Sequence, residues 1–244
     1  MKQDIKFGTW LTAGSPVLVE LASLYNFDWF LFDMEHGFLT ISDLLPNLQA
    51  IKNQHTSAVV RIGGVDPIQI SKVLDLGAAG VMVPHVSNAA EARKCVNAAA
   101  YPPIGHRGFS SSVRAFDFGL NVPKNLNEKK SLLFVQIEDL EGVENVDEIA
   151  AVEGVDVLFV GPADLKLSLS YQETANPVTY NDALGRVIAA VSRHKKQAGI
   201  LVRDYNDIEE LITMGFSYVA LSSDTAILKS GYQNLTSIIQ YIKN

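Results

Sequence analysis

Leu132-Leu133-Phe134-Val135-Gln136-Ile137-Glu138 and Val155-Asp156-Val157-Leu158-Phe159-Val160-Gly161-Pro162-Ala163-Asp164 decide the fold. Each holds an apolar run too short for a helix and rich in β-branched and aromatic residues. That is the pattern of a strand buried on both faces, as in a parallel sheet. Each closes on a polar turn that carries a carboxylate. Outward from these two, similar runs occur at Phe7–Leu11, Trp29–Asp33, Ala58–Arg61, Gly80–Val83, Ile200–Val202 and Tyr218–Leu221. Helical periodicity falls between them, near Pro16–Tyr25, Ile41–Gln54, Pro67–Leu76, Ala89–Ala100, Val143–Ala151, Asn181–Gln197, Asp207–Met214 and from Asp224 onward. Asp66-Pro67 starts a helix with an acidic cap and a proline in the first turn. Gly77 and Gly215 stand where C-terminal caps do.

Eight strands alternating with helices in 244 residues predict the α/β class and a (β/α)8 TIM barrel. A doubly wound open sheet alternates the same way but usually with fewer strands. No linker or composition shift divides the chain, so residues 1–244 read as one domain. One connection, Tyr101 to Lys130, is long enough to suggest a lid or binding loop.

A hydrophobic share of 48% supports a substantial core, and a net charge of −7 argues against a nucleic-acid partner. Cys95 is the only cysteine, which excludes an internal disulfide and fits a reducing compartment. The first residues lack the basic-then-apolar pattern of a secretory signal, and no run approaches the length of a membrane span. The expectation is a cytoplasmic protein with no membrane association.

In a barrel of this kind, chemistry collects at the C-terminal strand ends. Asp33, Glu35 and His36 follow the second strand, and Arg61 ends the third. Gln136 and Glu138 close the fifth, Asp164 follows the sixth, and Ser222, Ser223 and Asp224 follow the eighth. Glu138 and Asp164 suit a hard, oxygen-preferring divalent cation that leaves positions for water and substrate. An α-keto acid can fill two of those positions, with the metal acting as a Lewis acid on the developing enolate. Arg61 offers a fixed cation for the oxyanion or a carboxylate. His36 can exchange a proton near neutral pH. Backbone N–H groups from Gly161 to Asp164 can hold a carboxylate. Each residue has a plainer reading: Asp164 as a helix cap, Arg61 as counter-ion to Asp33 or Glu35, His36 as a loop histidine, Asp33 as a loop anchor. His85 and His106 fit either the mouth or the surface. A Schiff-base lysine is poorly supported, because lysines fall on helical stretches, and Lys166, the one near a strand end, sits in the following helix start.

Phe32-Asp33-Met34-Glu35-His36, Val60-Arg61, Val83-Pro84, Tyr101-Pro102-Pro103 with Gly105 and Arg107-Gly108, Gln136-Ile137-Glu138, Gly161-Pro162-Ala163-Asp164-Leu165 and Asp224-Thr225 occur in this order. Together they resemble the HpcH/HpaI aldolase family of metal-dependent pyruvate aldolases, from about Phe7 to Leu228. The resemblance implies a (β/α)8 barrel whose final helix swaps between subunits, in a hexamer built as a trimer of dimers. It implies Mg2+, Mn2+ or Co2+ on Glu138 and Asp164, with no organic cofactor. It casts His36 as the acid/base paired with Asp75, and Arg61 as the residue that stabilises the pyruvate enolate. Gln136, Gly161, Pro162 and Ala163 would contact the keto acid, with Asp33 and Glu35 supporting the site from behind.

The reaction implied is reversible cleavage of a 4-hydroxy-2-oxo acid, such as a 2-keto-3-deoxy sugar acid or hydroxy-oxo-dicarboxylate, to pyruvate and an aldehyde. Alternatives on the same residues are oxaloacetate decarboxylation, an acyl lyase, or a non-catalytic protein that binds metal and keto acid. Departures from the family pattern occur at His85, Ser87, His106, the stretch 109–118 and Leu221-Ser222-Ser223-Asp224. They are expected where the aldehyde end binds. Arg61→Ala and His36→Ala are expected to lower turnover much more than folding stability.

Overall fold

A computed structural model describes residues 4–128 and 131–243. The eight strands are β1 (Lys6–Leu11), β2 (Trp29–Asp33), β3 (Ser57–Arg61), β4 (Gly80–Val83), β5 (Leu132–Ile137), β6 (Val157–Val160), β7 (Gln197–Val202) and β8 (Phe216–Ser223). They pair in parallel, in chain order, and β8 closes on β1. The helices are α1 (Pro16–Ala22), α2 (Ile41–Gln49), α3 (Pro67–Asp75), α4 (Ala89–Ala99), α5 (Leu140–Glu144), α6 (Val146–Ala150), α7 (Pro162–Leu169), α8 (Tyr180–Arg193), α9 (Ile208–Met214) and α10 (Asp224–Lys243). The (β/α)8 barrel read from the eight apolar runs is therefore present.

Alternation along each strand separates two apolar layers. Trp10, Trp29, Leu31, Val59, Met82, Phe134, Phe159 and Ala220 fill the barrel interior. Their neighbours, such as Leu11, Phe30, Val60, Val135, Leu158 and Val219, pack outward under the helices. Interior space is shared between large and small residues. A Cβ on Gly8 would meet the Trp29 indole at 2.3 Å, and one on Gly199 would meet the Phe159 ring at 2.4 Å. Trp29 also packs against Phe134, Phe159 and Tyr218. This plug makes the barrel a core rather than a pore.

Local differences from the sequence reading have physical causes. The helix expected over Val143–Ala151 is two short helices that meet at Asn145, whose non-helical backbone (φ −94°, ψ 7°) serves both ends. Helix α2 stops at Gln49 rather than Gln54, because Asn53 and Thr56 are drawn into bonds with the turns after α1 and before β2. Helix α7, whose periodicity is weak, occupies a stretch for which only a helix start was expected.

The long connection does not cover the catalytic mouth of its own barrel. Helix α4 returns antiparallel to β4, so its C-terminus and the following loop lie where the strands begin. Arg107 N–H donates to Ala100 O, and Arg114 Nη1 donates to Leu76 O at the end of α3. The expectation of a lid from this stretch is thus corrected for a single chain. Lys129 and Lys130, at its end, lie outside the described residues.

Candidate active site

The same alternation that fills the barrel sets the residues at its C-terminal mouth. Leu31 points inward, so Asp33 does too; Val59 does the same for Arg61, and Phe134 for Gln136 and then Glu138. Asp33, Arg61, Gln136 and Glu138 are all buried. They are polar groups at the top of an apolar plug, and burial at that depth requires partners.

Arg61 donates to Asp33 through Nε (3.0 Å) and Nη2 (2.7 Å), and its Nη1 lies 2.7 Å from Glu35 Oε2. Its guanidinium also sits over the Trp10 ring, 4.3 Å from the centroid. A planar, always-charged fork suits this arrangement better than an ammonium. Asp33 Oδ1 also accepts from the N–H groups of Glu35 and His36, which shapes the turn that carries His36. The plainer readings of Arg61 as a counter-ion and Asp33 as a loop anchor therefore hold beside any chemical role. The His36 ring is 66% exposed and its Nε2 lies 4.0 Å from Glu35 Oε1.

Glu138 sits just past the end of β5. It accepts from Gln136 Nε2 at 2.9 Å and from His85 N at 2.9 Å. His85 has φ +49°, a left-handed backbone that turns this N–H toward the carboxylate. Burial pushes the Glu138 carboxyl above the usual carboxylate range. The His85 contacts oppose this, and the nearby charges of Glu35 and Asp164 add to it. Gly161 allows the close approach: a Cβ there would lie 2.2 Å from Glu138 Oε2. Pro162 and Ala163 open α7, and Asp164 falls in its first turn.

A divalent cation fits this cluster. Glu138 is a buried carboxylate with no Arg or Lys among the described residues bonded to it, and Glu35 and Asp164 add negative charge nearby. Gln136 Oε1 is buried beside it with no hydrogen-bond partner among the described residues. An all-oxygen set of this kind suits a hard ion. Among the described residues no three His, Cys, Asp or Glu side chains converge as a ready-made ligand set, so two carboxylates would leave most positions to substrate and water.

Other residues sort clearly. Lys166 is in α7, with its ammonium over the Tyr180 ring at 4.5 Å, and among the described residues the inward positions of the mouth hold no lysine. Asp224 is the first residue of α10 and accepts from Thr12 N, Thr12 Oγ1 and Ala13 N, so it ties the end of β1 to the last helix. Ser87 donates to Asp139 at 2.6 Å, and His106 lies at the far mouth with its N–H on Asn97 O. Asp75 also lies there, at the end of α3, where Arg107 Nη2 donates to its Oδ1 at 2.6 Å. Within one chain, Asp75 and His36 therefore stand at opposite mouths, and the expected pair does not form.

The sequence reading took no residue from the seventh strand. Leu201 packs inside the barrel and Val202 outside, so the residue after β7, Arg203, points to the mouth. It lines a cavity of about 570 Å³ together with Trp10, His36, Arg61 and Ser222. Counting by twos from Leu201 finds it.

A parallel eight-stranded barrel with carboxylates and a clamped arginine at its C-terminal mouth, the face that carries the active site in such barrels, defines the (β/α)8 class of enzymes. The model of the HpcH/HpaI aldolase/citrate lyase family matches residues 6–230, and the chain belongs to that family. It is thus a carbon–carbon lyase of the aldolase type. A 5-keto-4-deoxy-D-glucarate aldolase of Enterobacter sp. (strain 638) is 36% identical over 235 residues, covering 96% of this chain and 91% of the relative. A HpcH/HpaI aldolase/citrate lyase family protein of Burkholderia cenocepacia J2315 superposes with a TM-score of 0.88 at 30% identity, covering 96% and 95% of the two chains. The citrate synthase SbnG superposes with a TM-score of 0.84 at 26% identity, covering 99% and 96%.

Proposed function

We propose that the chain is a divalent-metal-dependent aldolase that reversibly cleaves a 4-hydroxy-2-oxo acid to pyruvate and an aldehyde. The observation that carries this is the buried, raised Glu138 carboxyl beside Asp164, at the same mouth as Arg61 and His36. Glu138 and Asp164 would hold Mg2+, Mn2+ or Co2+. When bound, such an ion supplies Lewis-acid charge to the carboxylate and keto oxygens of the substrate.

The remaining work falls to side chains. N–H groups at the start of α7, beyond Gly161, Pro162 and Ala163, orient the substrate carboxylate, as a helix start favours an anion. Gln136 directs its free amide oxygen to the same region. A base in the His36 region takes the C4 hydroxyl proton. The C3–C4 bond breaks, the aldehyde departs, and the bonding electrons move to the C2 oxygen, where Arg61 meets the developing oxyanion. Protonation at C3 then gives pyruvate. Asp33 and Glu35 keep Arg61 charged and aimed. Pairing of His36 with Asp75 requires the acid to come from a neighbouring copy, which accords with an obligate homo-oligomer, a hexamer arranged as a trimer of dimers.

Helix α10 supports assembly, since Leu228, Tyr232, Leu235, Ile239 and Ile242 lie exposed along it at heptad spacing. On this reading the helix docks on a second copy, and the whole chain acts as one barrel domain. Among the described residues no helix is long and apolar enough to cross a membrane. A cytoplasmic location, with a small keto acid and aldehyde as partners, completes the proposal.

The test is a panel of aldehydes offered with pyruvate and Mg2+, Mn2+ or Co2+, before and after chelation. Condensation lost on chelation and restored by metal is expected; undiminished turnover after complete metal removal would sink the mechanism.

A further inference from the structure

Two arginines, Arg61 and Arg203, line the cavity at the mouth, and among the described residues only Arg61 has a partner. Arg61 is neutralised by Asp33 and Glu35. Glu138 and Asp164 are committed to the cation site. Arg203 has no ion pair or hydrogen bond among the described residues, yet strand alternation points it to the same cavity. Arg203 stands at the end of β7, which is paired with β6, the strand leading to Gly161 and Asp164, and with β8 on its other side. The lining also holds Ser222, Ser223, Thr12 and Thr225 with apolar Leu201, and its other charged side chains, Asp33 and Arg61, are paired with each other. Ser222 has φ +56°, which marks a local turn in the strand end where these hydroxyls gather.

The cavity lies on the β7, β8 and β1 side of the mouth and reaches Asp33, His36 and Arg61. Glu138 and Asp164 stand on the β5 and β6 side of the same mouth, outside its lining. The cavity wall is rich in hydroxyls, and among the described residues Arg203 is its cation without a partner. Arg203 is exposed at the rim of this cavity, and a guanidinium there favours a carboxylate, which it can engage through two parallel N–H bonds. It gives a neutral hydroxymethyl group much less.

We infer that Arg203 is a specificity-determining residue that binds a carboxylate on the aldehyde half of the substrate. The enzyme would then prefer hydroxy-oxo-dicarboxylates over monocarboxylate sugar acids. This rests on the aldolase reading above and deepens it. Ser222 and Ser223 are suited to the hydroxyl groups between the two ends.

Two aldehydes of matched skeleton test it: tartronate semialdehyde, which carries the carboxylate, and glyceraldehyde, which carries a hydroxymethyl group there. Each is condensed with pyruvate and Mn2+ by the wild-type chain, Arg203→Leu and Arg203→Lys. In parallel, exchange of the pyruvate methyl protons with solvent deuterium is followed by NMR in the wild type without aldehyde. Wild type is expected to favour the anionic aldehyde in kcat/KM. R203L is expected to raise KM for it by about 10- to 150-fold, the range of a hydrogen bond to a charged group, and so collapse the anionic-to-neutral ratio. R203K restores part of the ratio, and added salt weakens it. If pyruvate exchange occurs but R203L depresses both aldehydes alike, or neither, the assignment of Arg203 is overturned while the aldolase reading stands. Absence of metal-dependent exchange in the wild type would overturn that reading and this inference with it.

Discussion

Arg61 donates twice to Asp33, from Nε at 3.0 Å and Nη2 at 2.7 Å, and both side chains are buried. The pair is therefore structural as well as chemical, which changes what its variants should show. Removal of the arginine leaves Asp33 and Glu35 uncompensated, and breaking a buried pair costs about 3–5 kcal/mol. Arg61→Ala should consequently lose substantial stability along with turnover, whereas the expectation from sequence was that turnover would fall much more than folding stability. Arg61→Lys is the informative change. It keeps the charge but not the fork, so kcat should fall by about 100-fold with a smaller loss of thermal midpoint. Steady-state kinetics and a denaturation curve on the same sample check both. Near-wild-type kcat in R61K would show that only charge is needed.

His36 stands at the same mouth but in the opposite physical situation. Its ring is 66% exposed, and among the described residues Glu35, at 4.0 Å, is the only charged side chain paired with it. Surface substitutions of this kind change stability by about 0.5 kcal/mol or less. His36→Ala should leave the unfolding curve in place while reducing turnover by about 100-fold or more, as expected for loss of an acid/base. Unchanged aldol cleavage in this variant would remove His36 from the mechanism.

Glu138 couples metal binding to pH. Burial raises its carboxyl above the value it has in the unfolded chain. Between those two values the folded state binds the extra proton, so metal-free stability is highest below the unfolded carboxyl range. It is lost as pH rises through the raised folded value. Glu138→Gln removes that dependence. Its amide can still be met by Gln136, whose Oε1 has no hydrogen-bond partner among the described residues. The metal-free variant should melt about 2–4 °C higher at neutral pH, the response at this chain length to ~1 kcal/mol. Calorimetric titration with Mn2+ should show binding weakened by more than about 100-fold, beyond the loss from a merely supporting residue. Tight Mn2+ binding by E138Q would place the cation elsewhere.

What could be read ahead of the structure, and what could not, follows from the range of each interaction. The barrel was legible because a parallel strand buried on both faces leaves a continuous apolar run, as at Leu132–Ile137, and eight such runs point to one closed topology. Asp33, Arg61, Gln136 and Glu138 were legible because strand alternation is local. Arg203 obeys the same rule and was reachable by counting from Leu201. The hidden features depend on long-range geometry. Nothing near Asp75 in sequence tells that its carboxylate meets Arg107, 32 residues on. Nor does the length of the 101–130 connection tell which mouth it covers; that follows only from the antiparallel return of α4.

The last helix gives the clearest test of assembly. Helix α10 runs 20 residues, and Asp224 at its start is its only buried residue. Tyr232, Leu235, Ile239 and Ile242 are more than half exposed, and Leu228 is 40% exposed. A helix this apolar along one stripe is not stabilised by its own chain; it needs a surface to cover. Deletion of residues 227–244 keeps Asp224 and its bonds to Thr12 and Ala13, so the barrel closure at β1 and β8 survives. The truncated chain should fold, with a far-ultraviolet spectrum reduced only by the lost helix. Its mass by light scattering should fall from that of an oligomer to that of a smaller species. If Asp75 must reach His36 from a neighbouring copy, turnover should fall with the mass while Mn2+ binding at Glu138 and Asp164 persists. An unchanged oligomeric mass after the deletion would show that α10 does not hold the copies together, and a monomeric wild type would remove the shared site altogether.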